Sequence, residues 1–347
     1  MTLRDSVRTA SNTVSRSARD YSEISRNASA PQLDRITAFS HLIEEEIGGT
    51  WMRRSRALER DFNLSHLYLK FEGENPTGTQ KDRIAFAHVE DALINGFGTV
   101  ALATCGNYGV AVALAAQLAG LRCEIYIPDS YHTHRLQEME NLGAHIHRPT
   151  GTYEDTVAFS NEEAKRNGWY NANPGNGNTD LQLRAYSFIA DEIVATLGRM
   201  PDVVAVPVSN GTLLAGIYQG FVRLEQLGGT PRMIAASSTD KNPIITSFHA
   251  GSRRCEDLRP AQIKETRINE PLINWHSFDG QEALDAVYES KGGAYHISDQ
   301  KMKRMSAYLS TKEALQVLPA STAGLIALSE RSEPETTLQV AVLTAKR

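Results

Sequence analysis

The chain has 347 residues, room for about two domains and a large buried core. Its 36 basic and 41 acidic residues leave a formal charge of -5, and no stretch interleaves Lys and Arg with aromatics, which argues against a nucleic-acid partner. Three widely spaced cysteines, Cys105, Cys123 and Cys255, form no CxxC pair; they suit a reducing, cytoplasmic setting and argue against a disulfide framework or a structural metal site.

The first thirty residues are rich in Ser and Arg but also carry Asp5, Asp20 and Glu23, which speaks against a transit peptide; an N-terminal arm, helical and docked on a partner subunit, is expected. From about residue 64 short apolar runs alternate with longer helical periods. Leu67 to Phe71 reads as a strand, followed by the turn Asn75-Pro76-Thr77-Gly78 and then by Lys81 at the start of the apolar period Ile84, Ala85, Phe86, Val89. A lysine near a helix start has its ammonium disfavoured by the dipole and by burial, as a nucleophilic Schiff-base amine requires.

Thr99 to Ala103 is the next strand; the loop Thr104-Cys105-Gly106-Asn107-Tyr108-Gly109 leads into the alanine-rich helical run Val110 to Ala119. That run holds the longest apolar stretch, too short to span a bilayer and interrupted by Gln117, so no membrane partner is expected. Cys123 to Ile127 reads as a strand. His145 and His147 alternate about Ile146 as on a solvated strand face, and no third ligand with matching spacing suggests a metal. Val203 to Pro207 is a further strand, followed by Ser209-Asn210-Gly211-Thr212-Leu213 opening a helix. Repeated strand, turn and helix imply an α/β fold with parallel sheets covered on both faces and a site at the carboxyl ends of the strands.

The loops after Ala103 and Pro207 each offer backbone N–H groups at a helix start, suited to a carboxylate and to a phosphate respectively. The second lacks the GK[ST] ending of a Walker loop and the GxGxxG of a dinucleotide site. Alone, each is also what an ordinary strand-to-helix connection looks like. Together with an imine-forming lysine they describe pyridoxal 5'-phosphate bound with an amino acid.

Over roughly residues 45 to 347 the chain resembles the fold type II pyridoxal-phosphate enzymes (tryptophan synthase beta-like), and within them threonine synthase most. The NPTGSFKDR segment of that family stands here as NPTGTQKDR from Asn75 to Arg83, its STGNTS loop matches Thr104 to Gly109, and its GNAGN loop matches Ser209 to Leu213. Thr266 to Pro271 with Trp275, Leu318 to Leu325, and Val340 to Thr344 follow in the family's order. The resemblance implies that Lys81 carries the cofactor and that Asn107 meets its ring oxygen. It likewise assigns Ser209, Asn210, Gly211, Thr212 and Leu213 to the phosphate, Thr344 to the ring nitrogen, and Thr104, Cys105, Gly106 and Tyr108 to the substrate. It further implies two domains, each with a mainly parallel sheet flanked by helices: 31–80 with 180–347, and 81–179, after an arm of 1–30. A homodimer acting on a small amino acid is expected.

Three departures bear on the substrate. Gln80 replaces the Phe beside the lysine, Tyr108 replaces a small hydroxyl residue, and the stretch from Asn173 to Asp180 has Asn176 where threonine synthases place an arginine that grips the substrate phosphate; Arg184 is the nearest replacement. A threonine synthase-type lyase performing β/γ-elimination or replacement is the expected activity. Serine/threonine dehydratase, a cysteine or cysteate synthase-like enzyme and a non-catalytic cofactor-binding homologue stay open.

Overall fold

The computed structural model describes residues 15–104, 106–131, 133–175 and 177–347. They divide into two compact units. One takes the described residues up to Gly48 together with Glu74–Leu181; the other takes Gly49–Gly73 and Gln182–Arg347.

In the first unit β3 (Thr99–Ala103), β4 (Arg122–Tyr126), β5 (His145–His147) and β6 (Tyr170–Asn171) form a parallel sheet in the order β5-β4-β3-β6. β3 is buried at every position, as a parallel strand covered on both faces must be. The helix Asn107–Ala119 is apolar nearly all round because it too is enclosed, lying between the helix Lys81–Ile94 and β4. β5 is an edge strand, and its two half-exposed histidines share Glu124 of β4, at 3.1 Å for His145 and 2.7 Å for His147.

Residues 31–48 and 74–80, expected with the C-terminal half, group with this first unit. The helix Gln32–Glu46 buries Ala38, Phe39 and Leu42, and Phe39 stacks on Phe86 of the helix Lys81–Ile94 with ring centroids 5.8 Å apart. Residues 1–14 of the expected arm lie outside the described residues. The helix Arg16–Ser25 packs on its own chain: Ser22 donates to the carbonyl of Leu118 at 3.0 Å.

The second unit holds a six-stranded sheet, β1 (Met52–Arg54), β2 (Leu67–Phe71), β10 (Gln339–Leu343), β7 (Val203–Pro207), β8 (Arg232–Ser238) and β9 (Gly293–Ile297) in spatial order. All neighbours are parallel except β1 and β2. Leu67, Leu69, Ala205, Ile234, Ala341 and Leu343 feed one apolar core with the helix Ala323–Ser329. The architecture is α/β with mainly parallel sheets flanked by helices, as the alternating pattern requires.

Candidate active site

Lys81 is the first residue of the helix Lys81–Ile94. The turn before it is built by its own side chains. Buried Asp82 accepts from the Thr77 N–H at 2.8 Å and from its hydroxyl at 2.7 Å; Gly78 N–H closes on Asn75 O at 2.7 Å; the Thr79 hydroxyl accepts from Lys81 N–H at 3.0 Å. Asn75, Thr77, Thr79 and Asp82 are all buried, whereas Gln80 and Lys81 are only half-buried, so the segment is scaffold with these two side chains at its rim. Lys70 is a different case. It is fully buried in the second unit, held by Glu192 at 2.5 Å and Glu72 at 3.5 Å.

In the same unit as Lys81, the loop after β3 leads into the helix Asn107–Ala119, whose N-cap residue Gly106 has no side chain to cap it. The Thr104 hydroxyl takes the N–H groups of Gly106 and Gly109, at 3.2 and 3.1 Å. Cys105 lies outside the described residues. The Tyr108 ring centroid is 5.7 Å from Lys81 Nζ, and its hydroxyl donates to Ala172 O at 2.7 Å, which fixes the ring. Asn107 Oδ1 accepts from the Arg135 guanidinium at 2.8 Å.

Two asparagines of the altered stretch, Asn173 and Asn178, are structural. Buried Asn173 accepts from Ala103 N–H at 2.7 Å and donates to Ser160, Asn161 and Asn171, while Asn178 donates to the carbonyls of Asn171 and Asn173. Asn176 lies outside the described residues. Arg184 is exposed, on the helix Thr179–Leu197.

In the second unit the loop after β7 ends at Gly211, the N-cap of the helix Thr212–Arg223, again without a side-chain cap. Its carbonyls are taken from one side. Ser237 donates to Val208 O at 2.8 Å, Asn242 and Ser277 to Ser209 O at 2.9 and 3.2 Å, and Asp279 N–H to Asn210 O at 3.0 Å. A trans peptide is planar with its N–H opposite its carbonyl, so the N–H groups of Ser209, Asn210 and Gly211 face away from that layer. Gly211 has φ +97°, and a Cβ there would meet Asp279 O at 2.4 Å, so the glycine is required by what lies behind the loop rather than by the approach of a ligand. The Thr212 hydroxyl, expected on a phosphate, donates instead to the buried Asp279 carboxylate at 2.5 Å, and Asn210 Oδ1 accepts from Asn274 at 2.9 Å.

Thr344 follows β10, and its hydroxyl lies 2.9 Å from that of buried Ser321. Sequence reading missed Arg135, Asn242, Asn274, Ser277, Asp279 and Ser321 as site-building residues. Ser321 stands in a segment already matched to the family, and Asn242 before Pro243 is a readable helix start; the others carry no local signal.

A family model described as pyridoxal-phosphate dependent enzyme matches residues 43–344. The threonine synthase of Methanocaldococcus jannaschii is 30% identical over 296 residues, covering 82% of this chain and 70% of that protein. That of Methanosarcina acetivorans is 28% identical over 291 residues, covering 81% and 69%. Among solved structures, O-ureido-L-serine synthase matches with a TM-score of 0.72 at 20% identity over 88% of this chain and 91% of that one. Maize serine racemase matches with a TM-score of 0.73 at 19% identity over 91% and 94%. These structures share the type II fold. The chain belongs to the pyridoxal-phosphate dependent enzyme family, and its cofactor is pyridoxal 5'-phosphate.

Proposed function

We propose that the chain is a lyase of the threonine synthase type, acting on a small amino acid by β/γ-elimination or replacement. The observation that carries this reading is the hydroxyl pair of Thr344 and Ser321. A neutral partner at the position assigned to the ring nitrogen supplies no carboxylate to hold a proton there, which disfavours a long-lived carbanion and suits prompt loss of a leaving group. The activity named for the relatives, threonine synthase, supports the same class.

The residues fit the cofactor. The outward N–H groups of Ser209, Asn210 and Gly211, with the uncapped first turn from Thr212 and Leu213, make a donor set of the kind that holds a phosphate. Lys81 supplies the amine, Asn107 an amide for the ring oxygen, and Thr344 the hydroxyl. When bound, the cofactor supplies an aldehyde that amines condense with and a conjugated ring that accepts the electron pair released at Cα. Lys81 Nζ would hold it and would be the base that takes the proton from the substrate's Cα. Thr104, Cys105, Gly106 and Tyr108 are assigned to the substrate: the start of the helix Asn107–Ala119 orients its carboxylate, and the fixed Tyr108 ring walls the space beside Lys81.

A second reading, β-elimination or β-replacement on serine, threonine, phosphoserine or an activated serine, is favoured by the stretch from Asn173 to Asp180, which has one acid and no cation to grip a phosphate ester. Loss of such a grip costs roughly a hundredfold in kcat/KM. A screen of phosphohomoserine, phosphoserine, serine and threonine for released phosphate or keto acid decides between them, with phosphohomoserine expected to be a poor substrate. Efficient threonine formation that Arg184→Ala abolishes would establish plain threonine synthase. No turnover of any amino acid would leave the non-catalytic homologue. The reading includes a cytoplasmic homodimer, which cell fractionation and sedimentation test.

A further inference from the structure

We propose that Arg135 is a positioning residue for Asn107, setting which end of its amide meets the cofactor. The inference rests on the assignment of Asn107 to the ring oxygen. A guanidinium has only donors, so the group 2.8 Å from Arg135 Nη1 is the amide oxygen of Asn107 whatever the map of side-chain hydrogens. The Asn107 NH2 is thereby turned to the other side as the donor that a ring oxygen needs. Left alone, an asparagine amide rotates in a broad two-fold well and has no strong preference. A charge-assisted bond is among the stronger polar contacts and biases one orientation roughly tenfold or more.

The guanidinium is itself held on two further sides. Its Nε donates to Glu138 at 2.5 Å, and Nη2 donates to Thr77 O at 3.1 Å. Thr77 is the residue that Asp82 fixes in the turn before Lys81, so one planar group ties Asn107 to the lysine turn. The segment around it is fitted to the same loop: the Thr133 hydroxyl accepts from Arg135 N–H at 3.2 Å and lies 3.1 Å from where a Cβ on Gly106 would be. With a side chain 12% exposed, Arg135 is also a largely enclosed cation beside Asn107, in contrast to exposed Arg184.

The test compares the holoenzymes of wild type, Arg135→Leu, Arg135→Lys, Asn107→Ala and the Arg135→Leu/Asn107→Ala double variant by visible absorption, cofactor affinity and melting temperature. Arg135→Leu is expected to shift the absorption maximum of the bound cofactor and weaken its affinity roughly tenfold. Arg135→Lys keeps one donor for Asn107 and should restore the spectrum while still melting lower than wild type. In the Asn107→Ala background, Arg135→Leu should change spectrum and affinity no further, because there is no amide left to orient. A wild-type spectrum and affinity in Arg135→Leu, or effects of the two substitutions that multiply, overturns the proposal. If Arg135→Leu does not fold, Arg135→Lys carries the test, and loss of the wild-type spectrum there counts against it. Visible absorbance that persists in Lys81→Ala would sink the underlying reading instead.

Discussion

The turn that carries Lys81 and the loop Ser209–Leu213 both end at a helix N-terminus, yet they are held in opposite ways. In the lysine turn Asp82 reaches Thr77, 5 residues away, so most of the turn is built locally, with Arg135 added from outside on Thr77 O. In the loop after β7 the restraints on Ser209 come from Asn242, 33 residues away, and Ser277, 68 residues away. In the proposed reading the first region spends its side chains on scaffolding and offers one amine. The second borrows its scaffolding and offers its own backbone. A side-chain nucleophile tolerates a locally built support, whereas an anion cradle needs several N–H groups aimed together, which only a layer behind them achieves.

The sharpest way to break this contrast is Lys81→Ala. Removing the one acting side chain should abolish the visible absorbance of bound cofactor and lower turnover roughly a thousandfold or more, with little loss of stability. Borohydride reduction and peptide mapping check it, and a tag on Lys70 would contradict the assignment. Gly211→Val acts on the borrowed scaffold: it forces a Cβ toward Asp279 O from a left-handed backbone, so cofactor affinity and about 3 kcal/mol of stability should fall together. Cofactor titration and urea unfolding read the two losses.

A smaller effect comes from the buried face of the lysine helix. His88 is fully buried, and burial pushes its ring down to about 3. The unfolded chain takes up this proton near pH 6.5 and the folded chain does not until about pH 3, so the stability contributed by neutral His88 is complete above 6.5 and declines on acidification. Between pH 6.5 and 5 the loss is about 2 kcal/mol. Unfolding at the two pH values should show a shallower dependence in His88→Phe. The smallest effect is Ser209→Ala, which removes one hydroxyl and leaves the N–H groups in place; a cofactor titration should find a loss of about 1 kcal/mol or less. Equal losses in Ser209→Ala and Gly211→Val would mean that side chains rather than backbone form the cradle.

Much of this was legible in the chain itself. Val203 to Pro207 and Thr99 to Ala103 are continuous apolar runs because parallel strands are buried on both faces, and they were readable to the residue. The helix after Lys81 was readable from its period. Asn242 before Pro243 announces a helix start, and its Oδ1 does accept from Ile244 and Ile245 N–H, but nothing local says that its Nδ2 goes to Ser209 O. What the amino-acid sequence determines here is whatever repeats at short range: strand and helix periods, turn chemistry, and the local Thr77–Asp82 bonds of the lysine segment. The tertiary structure alone decided that Arg135 faces Asn107, that Asp279 rather than a ligand takes the Thr212 hydroxyl, and that Ser321 meets Thr344. Those pairs are joined by sheet order and helix packing, which bring distant residues within 3 Å without leaving any spacing rule in the chain.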